Sequence, residues 1–168
     1  MTAPPNSAMT DLKIVQNPGL GAYSIWRFGL GHQLTDERPV SFALAFLVLP
    51  IVLHRETLQT LIATQKSSGL ALFGSKLGKE REKILAIHDR TLLLRNLSLQ
   101  SVSLGVGTKL LSIDYAEAKL RANDLNTKPR RPVVPERIKD IGNGAEKLGL
   151  WFSQLTAGQI VSTLQVEF

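Results

Sequence analysis

Residues 40–53, VSFALAFLVLPIVL, form the longest apolar run in the chain, with no charged side chain and a single helix breaker, Pro50. As a helix rising about 1.5 Å per residue the run spans roughly 20 Å, short of a bilayer core of about 30 Å. It is therefore expected as a central helix from about Ser41, kinked at Pro50 and buried on most sides by the rest of the domain. Upstream, Asn17 and Pro18 suit the N-cap and first position of a helix in which Leu20, Ala22, Ile25, Trp26 and Phe28 recur at helical spacing. Gly29 and Gly31 are placed to loosen or end it. Residues 1–16 contain Pro4 and Pro5 and few apolar anchors, the pattern of a flexible N-terminal arm.

Beyond a polar connector at residues 35–39 and the apolar run, residues 54–57 (HRET) restore polarity, and residues 57–64 (TLQTLIAT) read as a short amphipathic helix. Ser67 and Ser68 can cap another, through Leu77. The longest helical pattern covers residues 79–104. It opens on a charged KEREK and sets Ile84, Ile87, Thr91, Leu94 and Val102 on one face. From Leu92 onward the other faces turn apolar too, through Leu93, Leu97, Leu99 and Leu104, which predicts burial of this half against the central helix. Gly105 or Gly107 can terminate it.

The period then changes to two. Leu111, Ile113 and Tyr115 alternate with Ser112 and Asp114, and Ala118, Leu120 and Ala122 alternate with Lys119 and Arg121, which predicts two strands turning near Ala116. A Pro-rich basic loop, residues 123–135, leads to a last substantial helix over residues 136–154, bent near Gly142 and Gly144, whose Leu148, Trp151, Phe152 and Leu155 share a buried face. Thr156 caps a final turn. The fold class expected is α+β, a mainly α-helical single domain over residues 17–168 with a short β-hairpin. Helices followed by a hairpin is also the order of winged-helix domains.

Composition narrows the function. The 168 residues suit one domain with a real core. No cysteine is present, which removes disulfides, thiolate chemistry and cysteine-ligated zinc. The start MTAPPNSAMTDLK has neither the basic end nor the apolar core of a signal peptide, so a cytoplasmic location with no membrane contact is expected. The net charge of +6 is uneven: residues 119–139 hold seven cations (Lys119, Arg121, Lys128, Arg130, Arg131, Arg137, Lys139) against Asp124 and Glu136. Such a patch attracts phosphate backbones or an acidic protein surface, or is a solvated basic loop.

No catalytic or cofactor constellation accompanies it. The four Gly-x-Gly pairs (19/21, 29/31, 105/107, 142/144) do not extend to a dinucleotide fingerprint after a strand, and read as packing or capping glycines. FGSKLGKE has three residues between Gly74 and Gly78 where a P-loop needs four, and Glu80 follows Lys79 where Ser or Thr is required. Glu117-Ala118-Lys119 matches a nuclease-like Glu-x-Lys, but Asp114 lies too close on the same strand and Asp89 on a helix to share a metal in the usual way. His32, His54 and His88 are scattered, and His54 is expected as a cap or surface residue. No Gly-x-Ser-x-Gly turn supports a serine triad.

NPGLGAYSIWRF at residues 17–28 and FLVLPIVLH at residues 46–54 resemble the signature of the middle component of bacterial three-component ABC systems, through Asn17, Pro18, Trp26, Arg27, Leu49, Pro50 and His54. In that family a helix, a short hairpin and a Trp-Phe helix follow, matching residues 91–104, 109–121 and 148–155. The resemblance implies a non-enzymatic adaptor, with no cofactor, metal or catalytic residue. It would link an SMC-like ABC ATPase to an effector, often a nuclease, in Lamassu-like anti-phage defence. Charge and predicted exposure then nominate the helix start at Lys79, Arg81 and Lys83, and the hairpin and loop at Lys119, Arg121, Lys128, Arg130 and Arg131, as partner contacts. The alternative is a winged-helix-like DNA-binding subunit in which the same hairpin and loop cations meet phosphates.

Overall fold

The structure, a computed structural model, describes residues 17–124 and 134–167. The expected arm at residues 1–16, together with Lys128, Arg130 and Arg131, lies outside the described residues. In chain order the elements are α1 (Pro18–His32), β1 (Val40–Ser41), α2 (Phe42–Ala45), α3 (Val48–Val52), α4 (Arg55–Ala63), a 3-10 turn (Lys66–Ser68), α5 (Gly69–Gly78), α6 (Arg81–Leu93), α7 (Arg95–Gly107), β2 (Leu111–Asp114), β3 (Lys119–Ala122), α8 (Glu136–Ser153) and α9 (Ala157–Leu164). The fold is mainly helical α+β with a small antiparallel sheet.

Asn17 caps α1, its side-chain oxygen accepting from the backbone N–H of Gly19 at 2.9 Å and of Leu20 at 3.2 Å, with Pro18 first in the helix. The helix runs through Gly29 and Gly31 to His32 instead of loosening there, because both glycines are contact points. A Cβ on Gly31 would stand 2.0 Å from the carbonyl oxygen of Glu146 in α8, and one on Gly29 2.7 Å from the Ala122 side chain in β3. From the other side, a Cβ on Gly149 would stand 2.0 Å from the Phe28 carbonyl oxygen. Helices α1 and α8 thus touch backbone to backbone, and Phe28 meets Phe152 edge-on at 5.3 Å. Helix α7 packs on another side of α1.

The apolar run is not one kinked helix. Val40 and Ser41 join the sheet, α2 ends at Ala45, and α3 begins at Val48. Pro50 is the cause, one turn upstream of its own position. Its nitrogen has no hydrogen to give the Phe46 carbonyl, and its ring crowds that carbonyl. The chain therefore restarts, and Pro50 falls in the first turn of α3, where no donor is needed. Burial is as expected: Leu47, Val48, Leu49 and Ile51 are fully enclosed. Among the described residues no single helix is long and apolar enough to cross a membrane. Phe42–Val52 with Arg55–Ala63 passes on length and composition as a pair bent by 100°.

Residues 79–104 likewise do not form one helix. Glu80 opens α6, and the chain turns at Leu94 before α7. Ile84, Ile87, Thr91, Leu94 and Val102 are buried as expected, whereas Leu92, Leu93, Leu99 and Leu104 are exposed. The reason lies in how α7 meets its neighbours. Ser98, Ser101 and Gly105 are the buried small residues of its inner face: a Cβ on Gly21 of α1 would stand 1.9 Å from the Ser101 oxygen, and one on Gly105 2.5 Å from Leu111. So close an approach leaves no room for larger side chains at those three positions, while Leu97 and Val102 of the same helix are buried as well. Helix α8 is continuous where a bend was expected, because Gly142 passes Tyr23 and Arg27 and Gly144 passes Leu58.

The expected hairpin forms from β2 and β3, with Ile113 opposite Leu120 and Asp114 opposite Lys119. It gains a third strand that the pattern did not reveal, since β1 pairs with β3 through Val40 and Leu120, in the order β1-β3-β2. Beyond the end of β1, the Gln33 side chain continues the ladder. Its amide donates to the Ala122 carbonyl at 3.0 Å and its oxygen accepts from the Ala122 N–H at 2.7 Å.

Candidate functional site

The residues of the opening motif hold helices together. Trp26 donates its indole N–H to the Asn123 carbonyl at 2.9 Å, tying α1 to the end of β3. Arg27 spans α1 and α8: it donates to Glu146 at 3.0 and 2.7 Å, to the Tyr23 hydroxyl at 2.9 Å and to the Asn143 side chain at 3.0 Å. Burial opposes its charge, but the bonds to Glu146 and Tyr23 outweigh that and raise its pKa. Leu49 and Pro50 are buried in α3. The Pro50 carbonyl near the C-terminal end of α3 accepts from Arg90 at 3.0 Å, and Arg90 also donates to the Thr57 hydroxyl at 3.0 Å. His54 caps α4, with Nδ1 2.8 Å from that same hydroxyl and 3.4 Å from the Thr57 N–H. Burial first, then the nearby Arg90 charge, lowers the His54 pKa. These side chains are committed within the domain.

The charged candidates are arranged differently from one another. Lys79 follows the end of α5 and Arg81 begins α6, both exposed, while Lys83 lies 3.3 Å from Glu80 and 3.8 Å from Glu56. Lys119 is half-buried opposite Asp114, and Arg121 donates to the Glu37 carbonyl at 3.0 Å. The hairpin tip is acidic and aromatic. Asp114 folds the turn by accepting from the N–H groups of Ala116 at 3.0 Å and Glu117 at 3.1 Å, and Ala118 takes the left-handed conformation at φ 51°. Tyr115, expected to share a strand face with Leu111 and Ile113, lies beyond the strand and is 81% exposed. The tip that a DNA-binding wing would bring to phosphates therefore carries two carboxylates. The helix before it, α7, turns leucines outward and has one cation, Arg95.

The three histidines serve three separate places. His32 Nδ1 lies 3.0 Å from the Arg38 carbonyl, His54 caps α4, and His88 Nδ1 accepts from the Glu167 N–H at 3.2 Å. Among the described residues no three His, Asp or Glu side chains converge on a metal-sized site.

The pattern gave no warning of the exposed leucines. Leu92 is 61% and Leu93 80% exposed at the α6–α7 corner; Leu85, Leu99 and Leu104 are each 41% exposed. Leu99 and Leu104, with Gln100, Ser103 and Gly107, face Pro18 and Gly19 across an open groove between α7 and the start of α1. Single exposed leucines are ordinary, but five fall within residues 85–104, and two of them, Leu99 and Leu104, line one groove. The small inner residues Ser98, Ser101 and Gly105 were the available hint, since they share the buried side of α7 with Leu97 and Val102 and leave Leu99 and Leu104 exposed.

A family model described as ABC-three component (ABC-3C) system Middle Component 3 matches residues 6–168, nearly the whole chain. Neither the curated proteins nor the solved structures contain a significant match.

Proposed function

Because the chain belongs to the ABC-three component (ABC-3C) system Middle Component 3 family, we propose that it is a non-catalytic adaptor that holds an SMC-like ABC ATPase to an effector protein in a bacterial anti-phage defence complex. The observation that carries the reading is the group of five exposed leucines within residues 85–104, two of them at the α6–α7 corner and two on α7, the largest group of exposed apolar side chains along the described chain. Apolar anchors surrounded by polar residues are what a lasting protein contact uses, because their desolvation supplies most of the binding energy. Arg27, Arg90 and His54 meanwhile form hydrogen bonds within the domain.

The test is co-expression with the products of the neighbouring genes, followed by purification and native mass spectrometry. A stable complex containing an ABC ATPase and this chain supports the adaptor role and gives the stoichiometry. Assembly of the ATPase with the effector in its absence, while this chain purifies alone, refutes it. Salt separates this from the DNA reading. Affinity for duplex DNA that falls steeply between 50 and 200 mM salt indicates phosphate contacts, whereas an apolar protein interface is far less sensitive.

A further inference from the structure

We infer that the groove between α7 and the start of α1 receives an amphipathic, acidic helix from a partner subunit; this rests on the adaptor reading. The groove is lined by Pro18, Gly19, Leu99, Gln100, Ser103 and Leu104, a surface with two leucine anchors and no charge of its own. The stretch of chain that contains its α7 wall has charges of one sign only. From Arg90 to Ile113 the chain has three cations and no carboxylate. Arg90 is turned inward onto Pro50 and Thr57, which leaves Arg95 at the start of α7 and Lys109 just past its end. Neither forms an ion pair among the described residues. The helix between them, Arg95–Gly107, is about 18 Å long, the length of an α-helical segment of about three turns. The groove also touches the start of α1 through Pro18 and Gly19, and the first turn of that helix contains no acidic residue, so its dipole adds positive potential.

An apolar floor with positive ends selects an occupant with leucine, isoleucine or phenylalanine anchors three and four residues apart and carboxylates flanking them. Phosphate backbones have no apolar anchors to offer Leu99 and Leu104. A second copy meeting this one through the same face would bring Arg95 and Lys109 but no carboxylate from residues 90–113, so a self-paired groove sets like charges together.

The experiment uses the full complex with its ATPase and effector. A photo-crosslinking amino acid at Ser103 is expected to capture a partner-subunit peptide containing Asp or Glu within four residues of a large apolar side chain. Leu99→Ser with Leu104→Ser should weaken the complex by about tenfold or more while the isolated chain keeps a cooperative melting transition lowered by only a few degrees, since each side chain is partly exposed. Arg95→Glu with Lys109→Glu should slow association and reverse its salt dependence. Crosslinks into residues 1–16 of the same chain, into a second copy, or into no protein overturn the inference, as does a double serine variant that binds like the wild type. If the complex assembles and only these results fail, the groove assignment falls and the adaptor reading stands. If the unmodified chain joins no complex, both fall.

Discussion

Replacing Gly149 by alanine tests whether α1 and α8 meet backbone to backbone. The added Cβ would stand 2.0 Å from the Phe28 carbonyl oxygen and 2.8 Å from the His32 nitrogen, against 3.4 Å where ordinary contact begins. The helices must therefore part by about 1.4 Å at this point, and neither obstacle can swing away, since both are main chain. Parting them loosens the edge-on contact of Phe28 with Phe152, both buried. Overpacking of this kind costs about 1–3 kcal/mol, and main-chain obstacles place Gly149 at the upper end. Alanine returns about 0.5–1 kcal/mol through helix propensity, so the net loss is about 2 kcal/mol. At about 2–4 °C per kcal/mol for a chain of this size, the melting temperature should fall by about 4–8 °C. Gly158→Ala is the matched control. It lies in α9 with nothing closer than the Thr156 hydroxyl at 4.0 Å, so only the propensity gain remains, and the melting temperature should rise by about 2 °C. Thermal unfolding followed by circular dichroism at 222 nm, with urea titration beside it, reads both. A Gly149→Ala protein as stable as the wild type would refute the seam.

Other consequences are open to the same measurements. Arg27→Met removes four hydrogen bonds and leaves Glu146 half-buried without its partner, which should cost about 2 kcal/mol by urea unfolding; Arg27→Lys should recover only part of it, because an ammonium cannot reach Glu146, Tyr23 and Asn143 in one plane. His54 has a folded pKa below its ordinary value, through burial and the Arg90 charge, so its neutral form is the one that stabilises the fold. That contribution is present above the unfolded pKa of about 6.5 and is lost as pH falls through it toward the lower folded value. Melting temperature should thus drop between pH 7.5 and 5.5, and His54→Asn, which keeps a capping side chain without a titrating one, should flatten the slope. His32, lowered chiefly by burial, contributes in the same direction and accounts for part of the remaining slope. Trp26→Phe should lose about 1 kcal/mol with the indole bond to Asn123. Leu93→Ser should change stability by less than about 0.5 kcal/mol, as its side chain is 80% exposed.

Much of this protein was legible one segment at a time. Asn17 with Pro18, the Thr156 cap, the alternation of residues 111–122, and the burial of Leu148, Trp151 and Phe152 rest on forces between near neighbours, so a linear pattern records them. The opening motif and the apolar run were enough to suggest the family. Other features depended on what each segment meets. Pro50 announced a break, but its carbonyl clash acts four residues upstream, which freed Val40 and Ser41 to pair with β3. No proline or glycine marks the turn at Leu94; it follows from α6 and α7 packing on different neighbours. The same packing decided the fate of the leucines. Hydrophobicity declares that a side chain gains by leaving water, but not which surface receives it. In α7 the close approach to α1 and β2 admitted serine and glycine, so Leu99 and Leu104 were turned outward.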